Sequence, residues 1–338
     1  MEKSLIWTEV DYETEGKQIG YLHLPHSVTR SAYGTIAMPI AVVKNGIGPT
    51  VLLMSGNHGD EFEGQVCLNK LIRSLDPADI EGRVIFLPMA NFPAAMAGLR
   101  VSPLDGGNLN RSFPGSPDGG PTAQIAYYID TTLAPLADYW IDLHSGGSSL
   151  DYIPFASVMV SGDDQLDTRA LELLRAFGSP VSMVWAYFNE PRTATGSAHR
   201  HGLVYLATEA GGTGSLNPAG VQICDQGVIR TLSHVGVLKN TSKFPVVAAP
   251  EIRLTELAGR DYYVYAPDAG LFEWYCALGE EVKEGQVAGM LHFNDNPARA
   301  PMEVVFRHDG LFICKRHFAR CERGDCLAHL ATDYRGLS

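Results

Sequence analysis

An α/β fold is predicted for the first 240 or so of the 338 residues: a sheet covered on both faces by helices, followed by a β-rich barrel-sandwich domain. Three observations predict it. Continuous apolar runs such as Val51–Ser55 and Val84–Met89 alternate with segments of helical periodicity, and such strands need cover on both faces. Helical periodicity then stops near residue 240. Beyond it, a β-like pattern starting Gly270-Leu-Phe272 recurs at Gly310-Leu-Phe312, about 40 residues on.

Taken in order, residues 4–45 read as short extended segments, the clearest being Tyr33–Val43, which ends at the turn Asn45-Gly-Ile-Gly-Pro49. Val51–Ser55 is a strand, and Val66, Leu68, Leu71, Ile72 and Leu75 place a helix near 61–75. Val84–Met89 is a second strand. Ile125, Ile129 and Leu133 align a helix over 121–136 that feeds the strand Tyr139–Leu143. A helix over 165–177, a strand Leu203–Thr208 and a helix near 218–237 complete this part.

A catalytic domain over 1–240, with its N-terminal β segment 1–45, is thus expected before a β domain over 250–338, the composition shifting across 240–252. The second β-unit repeats Glu281-Val-Lys-Glu-Gly285 as Arg320-Cys-Glu-Arg-Gly324, which suggests a small pseudo-symmetric β-sandwich. Its pattern is similar to the flattened barrel of biotinyl and lipoyl carriers. However, Pro301-Met-Glu-Val304, where the carrier lysine is expected, holds none. The domain reads as structural or as a lid.

The composition is that of an ordinary globular protein, with 45% apolar and 19% charged residues. A net charge of −12 argues against nucleic acid as a partner. The N-terminal stretch lacks the apolar core of a signal peptide, and no apolar run approaches a membrane span. Six cysteines are too few for a disulfide scaffold of this length. A cytoplasmic location is expected.

Polar clusters follow the apolar strands: Gly56-Asn-His-Gly-Asp-Glu61, Asn91, His144-Ser-Gly-Gly147 and Glu209-Ala-Gly-Gly212. In open α/β sheets, ligands bind outside the carboxyl ends of the strands, so distant clusters can meet. His58 and Glu61 could share one metal ion, with His144 as third ligand and water in the fourth position. Read alone, His58 and Glu61 also suit a helix N-terminus with a stabilising acid, and His144 a hydrogen-bonded core histidine. Asp142 points to the same side of its strand as His144 and could orient that imidazole. Glu209, at a strand end, suits a general base; a solvated loop acid is its other reading. Arg111 offers a planar fork to a substrate carboxylate, with Asn110 beside it as a neutral donor. Cys314, Cys321, Cys326, His317 and His329 do not match paired zinc spacing, and there is no G-x-S-x-G elbow for serine chemistry.

Four ordered motifs, G-N-H-G-D-E, N-L-N-R-S-F-P-G, D-L-H-S-G-G and T-E-A-G-G, make the chain resemble the succinylglutamate desuccinylase/aspartoacylase family, relatives of the zinc carboxypeptidases. The resemblance covers roughly residues 30–238 and is less distinct beyond. Within the family, the wording is most similar to deacetylases of N-acetyl-diaminobutyrate. The resemblance implies a zinc-carboxypeptidase-like mixed sheet and one Zn2+ per chain on His58, Glu61 and His144. It also implies Glu209 as general acid/base, and Asn110 and Arg111 on the α-carboxylate of a small N-acyl amino acid. Aspartoacylases carry an arginine shortly after the strand-end Asn-Pro to polarise the scissile carbonyl, whereas Asn91-Phe-Pro-Ala-Ala-Met96 has none. Arg100 is the nearest substitute.

The function expected is zinc-dependent hydrolysis of the amide of a small N-acyl amino acid. A peptide-cleaving zinc carboxypeptidase and a non-catalytic acyl-amino-acid binding protein are the alternatives. A homo-oligomer follows from family habit alone.

Overall fold

The computed structural model describes residues 3–186 and 190–336. Thr50–Ser55 and Gly82–Leu87 are buried at every position. Their side chains alternate between two cores, as strand geometry requires. Val51 and Leu53 enter the core under the helices Glu63–Ser74, Asp164–Phe177 and Pro218–His234. Leu52 and Met54 enter the other core, with Phe113, Ile125, Trp140 and Tyr205. The sheet is therefore covered on both faces.

Gly82–Leu87, Thr50–Ser55, Tyr139–Leu143 and Val204–Glu209 lie side by side in parallel. Antiparallel Thr35–Asn45 and Gly16–Pro25 extend the sheet on one side. On the other side are two strands that the sequence reading does not contain. Phe155–Met159 runs antiparallel to Val204–Glu209, and Val181–Trp185 runs parallel to Phe155–Met159. The sheet is mixed, as expected.

Helix ends follow local chemistry. Asp163 accepts from the backbone of Gln165 and Leu166, and Asn217 accepts from Ala219 and Gly220, each satisfying donors that the helix cannot. The helix expected over 121–136 is not uniform. It is α to Tyr128, π over Ile129–Leu133 and 3-10 over Ala134–Leu136. Thr131 donates its hydroxyl to the Tyr127 carbonyl at 2.7 Å, and Pro135 has no N–H to continue the ladder.

The C-terminal β-rich part shares the large sheet. Arg253–Glu256 pairs in parallel with Val181–Trp185 and antiparallel with Cys326–Asp333. Gly310–Arg316 follows, and Leu150–Tyr152 pairs against it. A second sheet of Met302–Val305, Val287–His292, Gly270–Trp274 and Arg320–Cys321 lies against these strands, sharing a core with Phe272, Leu291, Phe312 and Leu330. The sequence repeat is structural. Gly270 and Gly310 each begin a strand, and the two short strands cross over: Arg320–Cys321 pairs with the first unit, Glu281–Val282 with the second. All six cysteines are free thiols. Among the described residues, no helix is long and apolar enough to cross a membrane.

Candidate metal centre and catalytic cavity

Register brings the chemistry together. Met54 pairs with Asp142 and Ser55 with Leu143, while Ala207 pairs with Asp142 on its other side. The loops after these three parallel strands, carrying His58 and Glu61, His144, and Glu209, thus leave the sheet at one level. Close backbone approach fixes the first loop: a Cβ on Gly59 would lie 2.0 Å from the Ala94 carbonyl carbon, so only glycine fits. Asp60 ties this loop to the next by accepting from the Ser148 backbone at 2.7 Å and its hydroxyl at 2.8 Å. Asn91 stands apart. It is fully buried before the helix Phe92–Ala97 and does not line the cavity the other three clusters share.

His58 Nδ1 lies 2.6 Å from Glu61 Oε1, and His144 Nδ1 lies 2.8 Å from Glu61 Oε2. One donor atom from each of the three side chains lies within 4.8 Å of the others, and all three residues are buried. The far nitrogens are engaged: His58 Nε2 is 3.2 Å from Asn108 Oδ1, and His144 Nε2 is 2.9 Å from Asp142 Oδ2. Neither oxygen can donate, so each Nε2 carries a proton; in the neutral ring each Nδ1 then presents a lone pair to Glu61, and a cation there would take the place of a second ring proton. Two lone pairs and a carboxylate facing one another in a buried place repel unless something positive lies among them. Donor types, tautomers and supporting groups therefore all fit a divalent cation.

Electrostatics carry the same demand. Burial opposes ionisation of Glu61, but the two imidazoles outweigh it and hold the carboxyl well below the usual range. Burial also opposes protonation of His144, yet Asp142 and Glu61 push it far upward. At His58, burial wins and the ring is pushed downward despite Glu61.

Glu209 lines the same cavity. Its Oε2 is buried without a hydrogen-bond partner among the described residues. Burial, reinforced by the nearby Glu61 charge, pushes its carboxyl well above the ordinary value. Arg100 Nη1 comes within 3.4 Å of His58 Nδ1 and 3.5 Å of Glu61 Oε1. Asn110 and Arg111 line the cavity too. Arg111 Nη1 donates to the Asn110 carbonyl at 2.6 Å, and Asn110 Oδ1 accepts from the Ala194 backbone at 2.9 Å. Every residue singled out in the sequence for metal, acid/base or substrate contact thus faces one space of about 290 Å³.

Sequence reading missed much of the remaining wall. Tyr152, Met159, Trp185, Thr195 and Tyr205 line the cavity, as do Tyr263, Cys326 and His329 of the C-terminal part. Their signal is long-range pairing, chiefly Leu150–Tyr152 on Gly310–Arg316, which no local pattern carries. Cys326 faces this cavity, whereas Cys321, five residues earlier on the same β-unit, is in the core.

The sequence profile of the succinylglutamate desuccinylase/aspartoacylase catalytic domain matches residues 47–235. A relative from Halomonas elongata, N-alpha-acetyl-L-2,4-diaminobutyric acid deacetylase, is 42% identical over 97% of this chain and 95% of its own. The crystal structure of a succinylglutamate desuccinylase/aspartoacylase from Rhodobacter sphaeroides superposes with a TM-score of 0.93 at 40% identity, covering 98% of this chain and 100% of that one. The product-bound ectoine utilization protein EutE (DoeB) from Ruegeria pomeroyi gives 0.94 at 36% identity over 98% of this chain and 100% of its own.

Proposed function

Because the chain belongs to the succinylglutamate desuccinylase/aspartoacylase family, we propose that it is a zinc-dependent deacylase removing the acetyl group from the α-nitrogen of an amino acid, with N-α-acetyl-2,4-diaminobutyrate as substrate. One observation carries the reading: two imidazoles and Glu61 converge in the cavity that also holds Glu209, whose Oε2 is buried and has no hydrogen-bond partner among the described residues.

His58 Nδ1, Glu61 and His144 Nδ1 would hold one zinc ion. When bound, such an ion supplies Lewis acidity toward an amide carbonyl and toward water. Glu209 Oε2 takes the proton of the attacking water and passes it to the leaving nitrogen, a role its raised affinity for protons suits. Arg111 pairs with the α-carboxylate through the guanidinium N–H groups not given to the Asn110 carbonyl. The Asn110 amide nitrogen donates beside it, its oxygen being committed to Ala194. Arg100, next to Glu61, takes up negative charge developing on the carbonyl oxygen. Collapse releases acetate and the free amine.

A peptide substrate fits less well. The cavity is about 290 Å³, at the small end for ligand sites, and the C-terminal part closes one wall. The test is metal analysis of the purified protein with a panel of acetyl, succinyl and formyl amino acids. One zinc per chain and fastest release from N-α-acetyl-2,4-diaminobutyrate are expected. A metal-free protein that cleaves none of the panel, or one that cleaves tripeptides as fast, would overturn the reading.

A further inference from the structure

We propose that the C-terminal β module reads the substrate's amino-acid side chain, with His329 Nδ1 accepting a hydrogen bond from a side-chain ammonium group. This rests on the deacylase reading above and adds to it the group that selects the amino acid.

His329 is 3% exposed and lines the cavity together with Glu61 and Glu209. Its Nε2 lies 3.0 Å from the Tyr152 hydroxyl, while Nδ1 has no partner among the described residues. Leaving a buried ring nitrogen unpaired is unfavourable, so a group that completes it on binding gains selectivity. In the proposed arrangement the Tyr152 hydroxyl turns its proton toward the neighbouring Cys314 sulfur and accepts from His329 Nε2–H. Nδ1 is then an acceptor.

The surroundings suit a cation. Burial pushes the His329 ring down to about 3, so it carries no charge to repel an ammonium group. Tyr152 and Tyr263 flank it, with ring centroids 5.1 and 4.8 Å away, and aromatic faces attract cations. The Glu209 charge is felt at both phenols. The guanidinium groups lining the cavity are Arg100 and Arg111, close in sequence and suited to anions. A diamino acid carries both complements: a carboxylate for Arg111 and a distal ammonium for His329.

The test reads binding rather than turnover. Calorimetry on the full-length, metal-loaded protein compares 2,4-diaminobutyrate with 2-aminobutyrate, which lacks only the distal amine. Wild type should prefer the diamino acid by about tenfold or more, the range of one hydrogen bond to a charged group. His329→Leu should abolish the preference while holding 2-aminobutyrate affinity within about twofold, and His329→Met replaces it should the leucine variant not fold. His329→Gln, whose carbonyl can accept, should restore part of the preference. Equal binding of both amino acids by wild type overturns the proposal, as does a His329→Leu protein that keeps the preference or weakens both ligands alike. Failure of the deacylase reading would show separately, as absent acetate release from a protein that still discriminates the two free amino acids.

Discussion

Asp142 Oδ2 lies 2.9 Å from His144 Nε2, across the ring from the nitrogen that faces Glu61. The same oxygen accepts from Asn57 Nδ2 and from the Tyr205 hydroxyl, each at 3.0 Å. One fully buried carboxylate thus orients the His144 ring while being fixed itself. Asp142→Asn keeps the shape but removes the charge that makes His144 a stronger donor. Zinc affinity, measured by competition with a chromogenic chelator, should fall about 10- to 100-fold. Unchanged affinity would mean that the pairing does not tune the site.

Glu209 makes a separable prediction. Glu209→Gln leaves His58, Glu61 and His144 intact, so bound zinc should stay at wild-type stoichiometry. Turnover should fall about 10²- to 10⁴-fold, the span of general acid–base catalysis. The pH profile gives the sign. A base must be ionised to act, and burial raises the Glu209 proton affinity. Activity should therefore fall on acidification at a pH above the ordinary glutamate range, and this limb should be missing from residual Gln activity. Near-wild-type turnover would remove Glu209 from the proton path.

How much of this was legible in the sequence depends on the range of the interactions. Val51–Ser55 and Tyr139–Leu143 announce themselves as largely apolar runs, and the polar residues that follow them become neighbours by parallel register. The convergence of His58, Glu61 and His144 could be read for that reason. Phe155–Met159 and Val181–Trp185 were not read, although they are mostly buried. Each is only five residues long, with a serine inside, and their place in the sheet is set by partners far along the chain. The Tyr152, Tyr263 and His329 wall was invisible for the same reason. It exists because a three-residue strand, Leu150–Tyr152, pairs with a strand more than 150 residues away.

Arg111 tests how the substrate is gripped. Burial and the nearby Arg100 charge both press against its protonated state, so an anion between the two arginines relieves a real strain. Arg111→Ala should raise KM about 10- to 100-fold for an N-acetyl amino acid, as expected for loss of a charged hydrogen-bond pair. kcat should change much less. The matching α-carboxamide should show little difference between the two proteins. An equal rise for both compounds would take Arg111 out of carboxylate recognition.

His329 also leaves a mark on stability. Its folded value is near 3 because burial disfavours the charged ring, whereas an unfolded histidine titrates at about 6.5. Between those values the unfolded chain binds one more proton than the folded one, so stability from this residue is complete above about pH 6.5 and declines as pH falls. The slope approaches about 1.4 kcal/mol per pH unit, which amounts to roughly 2 kcal/mol between pH 7 and pH 5. His329→Gln removes the titration. Urea unfolding at the two pH values should therefore show wild type losing roughly 2 kcal/mol more than His329→Gln, because the other titrating groups contribute alike to both proteins. Equal losses would mean that the ring is protonated in the folded protein, and a charged imidazole beside Tyr152 could not accept a hydrogen bond from an ammonium group.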